Sequence, residues 1–221
     1  MKEQVFLYCE RTSPDFWAEP FNAWSNLAFF ISATAVADLW RKRTPDDLVA
    51  LFFILLVVMQ GVGSFLFHTY ATRWAGLADV LPIAIFILTY LMIGLRRYLE
   101  LGWLACAAAL FLFIGVVPMT SRLLAPMMGN AAIYMPELVT IFVVGSVYFK
   151  RNRELAVLIF AAGCTFATSL TFRILDPLMC EAVPSGTHFL WHIFNGITVY
   201  LLLRVLICQR AGYTSEEFEV G

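Results

Sequence analysis

Long apolar segments separated by short polar connections restrict what this chain can fold into. Seven segments fall in the range of roughly 17 to 25 residues that crosses about 30 Å of hydrocarbon as a helix. The predicted spans are residues 22–40, 48–70, 77–95, 101–117, 131–149, 154–170 and 187–207. The sequence therefore predicts an all-α integral membrane protein, a seven-transmembrane helix bundle that forms a single domain over residues 1–221.

Composition excludes the main alternatives to a membrane protein. Hydrophobic residues make up 61% of the chain and charged residues 14%, and the mean hydropathy is +0.78, unlike ordinary soluble domains. The net charge of −1 leaves no basic surface for nucleic acid. Residues 1–21 lack the apolar core of a secretory signal peptide, so we expect the first span to direct membrane insertion.

Lysine and arginine are distributed unequally between the two sides of the predicted bundle. Ten fall on one side, namely Arg41, Lys42, Arg43, Arg96, Arg97, Lys150, Arg151, Arg153, Arg204 and Arg210. Five fall on the other, namely Lys2, Arg11, Arg73, Arg122 and Arg173. Because cytoplasmic connections are enriched in these residues, the N-terminal segment (1–21) is predicted outside and the C-terminal tail (208–221) in the cytoplasm.

The three histidines all lie toward the outer side. His68 falls late in the second span, and His188 and His192 begin the seventh. The four-residue spacing places the latter two on one helix face, and His68 can supply a third ligand from another helix. Three protein ligands and an open fourth position are typical of catalytic zinc. Interhelical hydrogen bonding and haem ligation are the alternatives that the spacing leaves open.

Two polar residues near these histidines are candidate catalytic groups. Asp79 lies at the outer end of the third span, where an unpaired carboxylate facing lipid would cost about 3 kcal/mol, and we interpret it as the general base. Ser64 precedes His68 by four residues and can donate a hydrogen bond to a developing oxyanion. An interfacial position for Asp79 and helix packing for Ser64 are the simpler alternatives.

The outer segments also contain cysteines and carboxylates. Cys9 and Cys180 are the only pair on the outer side, so we predict a disulfide if that side is a periplasm or lumen, with two free thiols as the alternative. Before the first span, Glu10, Asp15 and Glu19 lie close in sequence to Asn22. This oxygen-rich composition suits a hard cation such as calcium, although an acidic outer segment also follows from the topology alone.

Taken together, these motifs resemble the alkaline ceramidase family, which belongs to a seven-transmembrane superfamily that includes the adiponectin and progestin receptors. The resemblance covers nearly the whole chain. It rests on Tyr8-Cys9-Glu10, Ala18-Glu19-Pro20-Phe21-Asn22 with Ser25-Asn26, Gly63-Ser64-Phe65-Leu66-Phe67-His68, Asp79, Met179-Cys180-Glu181 and His188-Phe189-Leu190-Trp191-His192.

The resemblance assigns roles to these residues. It implies that His68, His188 and His192 hold zinc, and that Ser64 and Asp79 complete a site that hydrolyses the amide bond of ceramide. It also implies a disulfide between Cys9 and Cys180. It further implies an outer calcium site in which Glu10 and Glu19 match two carboxylates, whereas Leu7 and Thr12 stand where the eukaryotic pattern has Asp and Asn.

We therefore expect a zinc-dependent hydrolase that cleaves ceramide or a related N-acyl lipid to a fatty acid and a long-chain amine. The lipid would enter from the side of the bundle near the outer leaflet. Trp191 and Phe65 would line an apolar pocket for its chains, with aromatic helix packing as the simpler role. A receptor-like protein without hydrolysis and a haem-binding electron carrier are the alternatives, and the short cytoplasmic connections disfavour the receptor.

Overall fold

The computed structural model describes residues 3–212, and the regular elements in this range are helical. The α-helices are α1 (Pro20–Ser25), α2 (Leu27–Arg43), α3 (Leu48–Tyr70), α4 (Arg73–Tyr98), α5 (Trp103–Met128), α6 (Met135–Tyr148), α7 (Arg153–Leu175) and α8 (His188–Arg210). Short 3-10 helices occupy Gly129–Tyr134 and Asp176–Leu178. Most of the predicted tail (208–221) lies outside the described residues.

The first predicted span, residues 22–40, is divided between α1 and α2 at Asn26. The Asn26 side chain donates hydrogen bonds to the main-chain oxygens of Asn22, at 2.9 Å, and Ala23, at 3.3 Å. These carbonyls would otherwise accept from the continuing helix, and an asparagine side chain commonly competes in this way. The chain therefore enters the bundle through a short separate helix.

Within residues 3–212, five helical runs are long and apolar enough to cross a membrane, and the third of them combines α5, the following 3-10 helix and α6. That run, Trp103–Tyr148, has 46 residues and would extend about 70 Å if straight, far more than one crossing needs. Phe113 of α5 and Val144 of α6 line one cavity, so α6 folds back along α5. The helical membrane bundle is thus confirmed, whereas the number of crossings stays a prediction.

Helix α8 lies at the centre of the bundle and packs against α2, α3, α4 and α7. Its inner face includes Val205 and Leu206, which are fully buried with Phe53 of α3. Helix α5 lies at the periphery, where Leu104 is 85% and Phe111 81% exposed. Apolar surface of this extent is typical of a protein that contacts lipid or a partner.

Helices α3 and α4 come unusually close at Gly63. A Cβ atom at this position would overlap the main-chain oxygen of Ala78. The absence of a side chain therefore allows the two backbones to touch, and this contact places Ser64 of α3 next to Asp79 of α4.

The N-terminal segment lies across the end of the bundle at which α3 ends and α8 begins. Its main chain contacts the α3–α4 connection, because Val5 N donates to Ala71 O at 2.7 Å. The predicted disulfide between Cys9 and Cys180 is confirmed, with an S–S distance of 2.05 Å and a sequence separation of 171. It attaches this segment to the loop before α8.

Candidate metal centre

The three histidines converge at the junction of α3 and α8. His68 lies in the last turn of α3, and His188 and His192 lie on successive turns at the start of α8. Their potential ligand atoms all lie within 4.8 Å of one another. Each residue is at most 2% exposed. Within residues 3–212, this is the one cluster of three or more His, Cys, Asp or Glu residues placed to hold a metal ion.

The nitrogens of the triad divide into those with protein partners and those without. Nδ1 of His68 lies 2.6 Å from Oε2 of Glu19, and Nδ1 of His192 lies 2.7 Å from Oγ of Ser25. By contrast, Nε2 of His68 and Nδ1 of His188 are buried and have no hydrogen-bond partner. Buried polar atoms are seldom left unpaired, so these two nitrogens indicate a missing ligand.

The donor set fits a zinc ion. Imidazole nitrogens are common zinc ligands, and three of them leave a fourth position of a tetrahedral site open. A zinc-binding histidine commonly uses its other ring nitrogen to hydrogen-bond a carboxylate, which is what His68 does with Glu19. The triad therefore has the ligand types of such a site, and two of its members, His68 and His192, have outer hydrogen-bond partners.

Ser64 and Asp79 lie beside the triad, as the sequence predicts. Oγ of Ser64 is 3.4 Å from Nε2 of His192. Asp79 accepts a hydrogen bond from the Ser64 hydroxyl and lies near His68 and Arg173. The structure thus brings both candidate catalytic residues to the metal centre, and their roles stay predictions.

Aromatic rings and the half-buried side chain of Arg173 border the centre. The Tyr8 ring stacks on His188 with centroids 3.7 Å apart. The Arg173 guanidinium lies 4.7 Å from the ring centroid of Trp191 and 5.6 Å from that of Tyr134. Sequence reasoning assigned Arg173 only to the outer side. A cation at the end of an apolar span is a signal that could have identified it.

Asp176 positions the start of α8, and sequence reasoning missed this role. Its Oδ1 accepts from the main-chain N–H groups of Thr187, at 2.7 Å, and His188, at 3.0 Å, and Oδ2 accepts from Cys9 N at 3.2 Å. A carboxylate at a helix N-terminus satisfies unpaired N–H groups. One side chain therefore fixes the first histidine of α8 and the disulfide-bonded N-terminal segment.

Glu10 and Glu19, the candidate calcium ligands, are occupied by donors from the protein. The Glu10 carboxylate accepts from the main-chain N–H groups of Phe21, at 2.6 Å, and Asn22, at 2.9 Å. Glu19 forms an ion pair with Arg11 through Oε1 and contacts His68 through Oε2. These two carboxylates are therefore not free to form an open calcium site.

The surroundings shift the pKa values of these two carboxyls in opposite directions. Burial raises the pKa of Glu10, and the two main-chain hydrogen bonds only partly offset this effect. Burial also acts to raise the pKa of Glu19, but the hydrogen bonds from His68, Asn22 and Arg11 outweigh it, so the pKa is lowered. Glu19 is thus favoured as the carboxylate that accepts from His68.

The two predicted pocket residues lie in different places. Trp191 packs within the bundle and lines an interior cavity together with Ile87 and Glu137. Ile87 and Glu137 also line two neighbouring apolar cavities among α4, α5 and α6. Phe65 instead lines a separate cleft with Trp24, between the N-terminal helices and α3. Trp191 therefore lines a cavity in the bundle interior, whereas Phe65 lines a different cleft.

A comparison with known protein families identifies the family of this chain. No curated protein matches this chain. A family model described as Ceramidase matches residues 7–220, which include all three histidines, Ser64 and Asp79. Because the match covers nearly the whole sequence, the chain belongs to the Ceramidase family.

Proposed function

We propose that this protein is a zinc-dependent amidohydrolase that cleaves ceramide or a related N-acyl lipid into a fatty acid and a long-chain amine. Family membership supports ceramide hydrolysis as the general activity. The observation that carries zinc dependence is the buried triad, in which Nε2 of His68 and Nδ1 of His188 have no partner in the protein.

The residues around the triad have complementary chemical roles. A bound zinc ion would supply Lewis acidity, which polarises a carbonyl group and makes water nucleophilic near neutral pH. Asp79 takes the proton of the attacking water and later delivers it to the leaving nitrogen. Ser64 donates a hydrogen bond to the carbonyl oxygen as negative charge develops there. Burial strengthens each of these electrostatic interactions.

The positions of the helix ends support a placement in the membrane. We propose seven crossings formed by α2 to α8, with the N-terminus and the metal centre on the outer side. Basic residues support this orientation, because they cluster where α2, α4 and α8 end and where α6 joins α7, at the end opposite the histidines. The outer side would then be the oxidising one, in agreement with the disulfide.

The cavities among α4, α5 and α6 suit the chains of a lipid substrate. Their walls are almost entirely apolar and include Phe86, Tyr90 and Phe113. The adjoining cavity reaches Trp191, which stacks near His188 with ring centroids 6.3 Å apart. A chain lying here would extend from the metal centre toward the peripheral helix α5, which offers a route of entry from the bilayer.

Release of both products from ceramide tests this proposal. Purified protein in lipid vesicles is supplied with a panel of ceramides and other N-acyl lipids, and the fatty acid and amine are measured by mass spectrometry. We expect wild type and Asp38→Asn to release equal amounts of both products, and His192→Gln to release none. Asp38 is a suitable control because it forms exposed ion pairs with Arg41 and Lys42. A zinc-loaded wild type that cleaves no member of the panel would favour the receptor-like alternative.

A further inference from the structure

Arg11 is a buried cation within the N-terminal segment. Its side chain is 0% exposed, although arginine is seldom fully buried. The guanidinium is surrounded by oxygen atoms. Its acceptors are a carboxylate oxygen of Glu19 and the main-chain oxygens of Ser13 at 3.3 Å, Asp15 at 3.2 Å, His68 at 2.8 Å and Thr69 at 3.3 Å.

Carboxylate and main-chain oxygens are the ligands that calcium takes in proteins. Here one side chain of the same protein satisfies them with five N–H donors and a permanent positive charge. We propose that the Arg11 guanidinium takes the place of a bound calcium ion in this protein, and that it positions His68 through Glu19.

The connection from Arg11 to His68 has two branches. Through the first, Arg11 pairs with Oε1 of Glu19, whose Oε2 is 2.6 Å from Nδ1 of His68 and accepts from Asn22 Nδ2 at 3.0 Å. A carboxylate in this position orients the imidazole and increases its basicity as a ligand. Through the second, Arg11 binds the main-chain oxygen of His68 itself. Arg11 therefore holds both the ring and the backbone of this histidine.

Charge opposes the binding of a divalent cation beside Arg11. The single positive charge of Arg11 already balances the carboxylate of Glu19, and a second cation at the same oxygens would meet electrostatic repulsion. Glu10 faces the main-chain N–H groups of Phe21 and Asn22 instead. Leu7, which is 48% exposed, has no oxygen to offer from its side chain.

The effect of calcium on the melting temperature tests whether Arg11 takes the place of a calcium ion. The melting temperature of the purified full-length protein is measured with no added divalent ion, with about 1 mM calcium and with about 1 mM magnesium, since weak extracellular calcium sites fill at this level. Ligand binding to the folded state raises the melting temperature. We expect the same melting temperature in all three conditions. A specific increase with calcium would overturn the proposal.

The positioning role rests on the proposed metal site and is tested by zinc affinity, measured by competition with a chelator of known affinity. We expect Arg11→Gln to bind zinc about 10- to 100-fold more weakly, as is typical when an outer partner of a ligand is lost. Arg11→Lys keeps the charge and should recover part of this loss. It also covers the case in which Arg11→Gln does not fold.

Arg73→Gln is the matched control, because it removes an exposed ion pair with Glu3 on the same side of the molecule. We expect it to bind zinc as wild type does. If Arg11→Gln and Arg11→Lys both melted earlier but bound zinc with wild-type affinity, Arg11 would be merely structural and the positioning role would be refuted. A wild type that binds no zinc would refute the proposed function. The calcium experiment would still decide whether Arg11 takes the place of calcium.

Discussion

At the candidate metal centre, each histidine contacts a residue from another part of the chain. Glu19 binds His68, Ser25 binds His192, and Tyr8 stacks on His188. Spacing in the sequence predicted the triad because two of its members lie on one helix face and the third lies near the end of another span. It did not predict the role of Tyr8 on His188, because stacking between distant segments leaves no periodic pattern.

Substitution of Asp79 separates catalysis from metal binding. We expect Asp79→Asn to lower turnover of the lipid at least about 100-fold, since an amide cannot take up and return the proton. Zinc content, measured by elemental analysis, should stay at the wild-type level. Loss of zinc in this variant would show that Asp79 supports the metal rather than the proton transfer.

The hydrogen bond between Ser25 and His192 leads to a second prediction for single residues. We expect Ser25→Ala to weaken zinc binding about tenfold, because Nδ1 of His192 loses the partner that fixes the ring. Ser146→Ala is the control, since this exposed serine bonds only the preceding turn of its own helix. Equal zinc affinity in the two variants would contradict the role of Ser25.

At the scale of helices, prediction succeeded where the apolar pattern coincided with capping. The predicted span 48–70 matches α3 at both ends. At the N-terminus, Asp47 caps the helix by accepting from the main-chain N–H groups of Val49 and Ala50. The predicted span 101–117 is too short, because α5 continues through Pro118 to Met128. Proline is tolerated within membrane helices, since neighbouring groups can satisfy the freed carbonyls.

The close contact between α3 and α4 makes Gly63 sensitive to substitution. We expect Gly63→Ala to destabilise the protein by about 1–3 kcal/mol, because the new methyl group collides with the backbone of α4. Turnover should also fall, because Ser64 and Asp79 are moved apart. Thermal unfolding in detergent and product release measure the two effects.

Gly115→Ala provides the control for this substitution. No atom lies within 4 Å of a Cβ at Gly115, so alanine should be neutral or slightly stabilising in α5. If both alanine variants behaved as wild type, the close approach of α3 and α4 would not be required.

At the scale of the whole molecule, the N-terminal segment covers the end of the bundle that contains the candidate metal centre. Its links are long-range. Arg11 bonds His68 across 57 positions, and Cys9 bonds Asp176 across 167. Composition and periodicity report only local preferences, so the sequence predicted the helical class and the disulfide but not the path of this segment over the centre.

Removal of the disulfide tests how far this closure stabilises the protein. We expect the Cys9→Ser/Cys180→Ser double variant to lose at most about 5 kcal/mol, the chain-entropy value for so long a loop, because membrane helices stay partly ordered in the unfolded state. The melting temperature should fall, whereas Cys164→Ser, at an exposed free cysteine, should leave it unchanged. Equal melting temperatures for the two variants would show that the disulfide does not hold the segment in place.

Elemental analysis of the purified protein is the most direct test of the zinc centre. We expect about one zinc ion per chain in wild type and in Asp38→Asn, and none in His68→Gln, His188→Gln or His192→Gln, because three imidazoles are needed to complete the site. A wild-type protein without metal, or one that contains iron and shows haem absorbance, would contradict the zinc hydrolase and leave the histidines as packing groups or haem ligands.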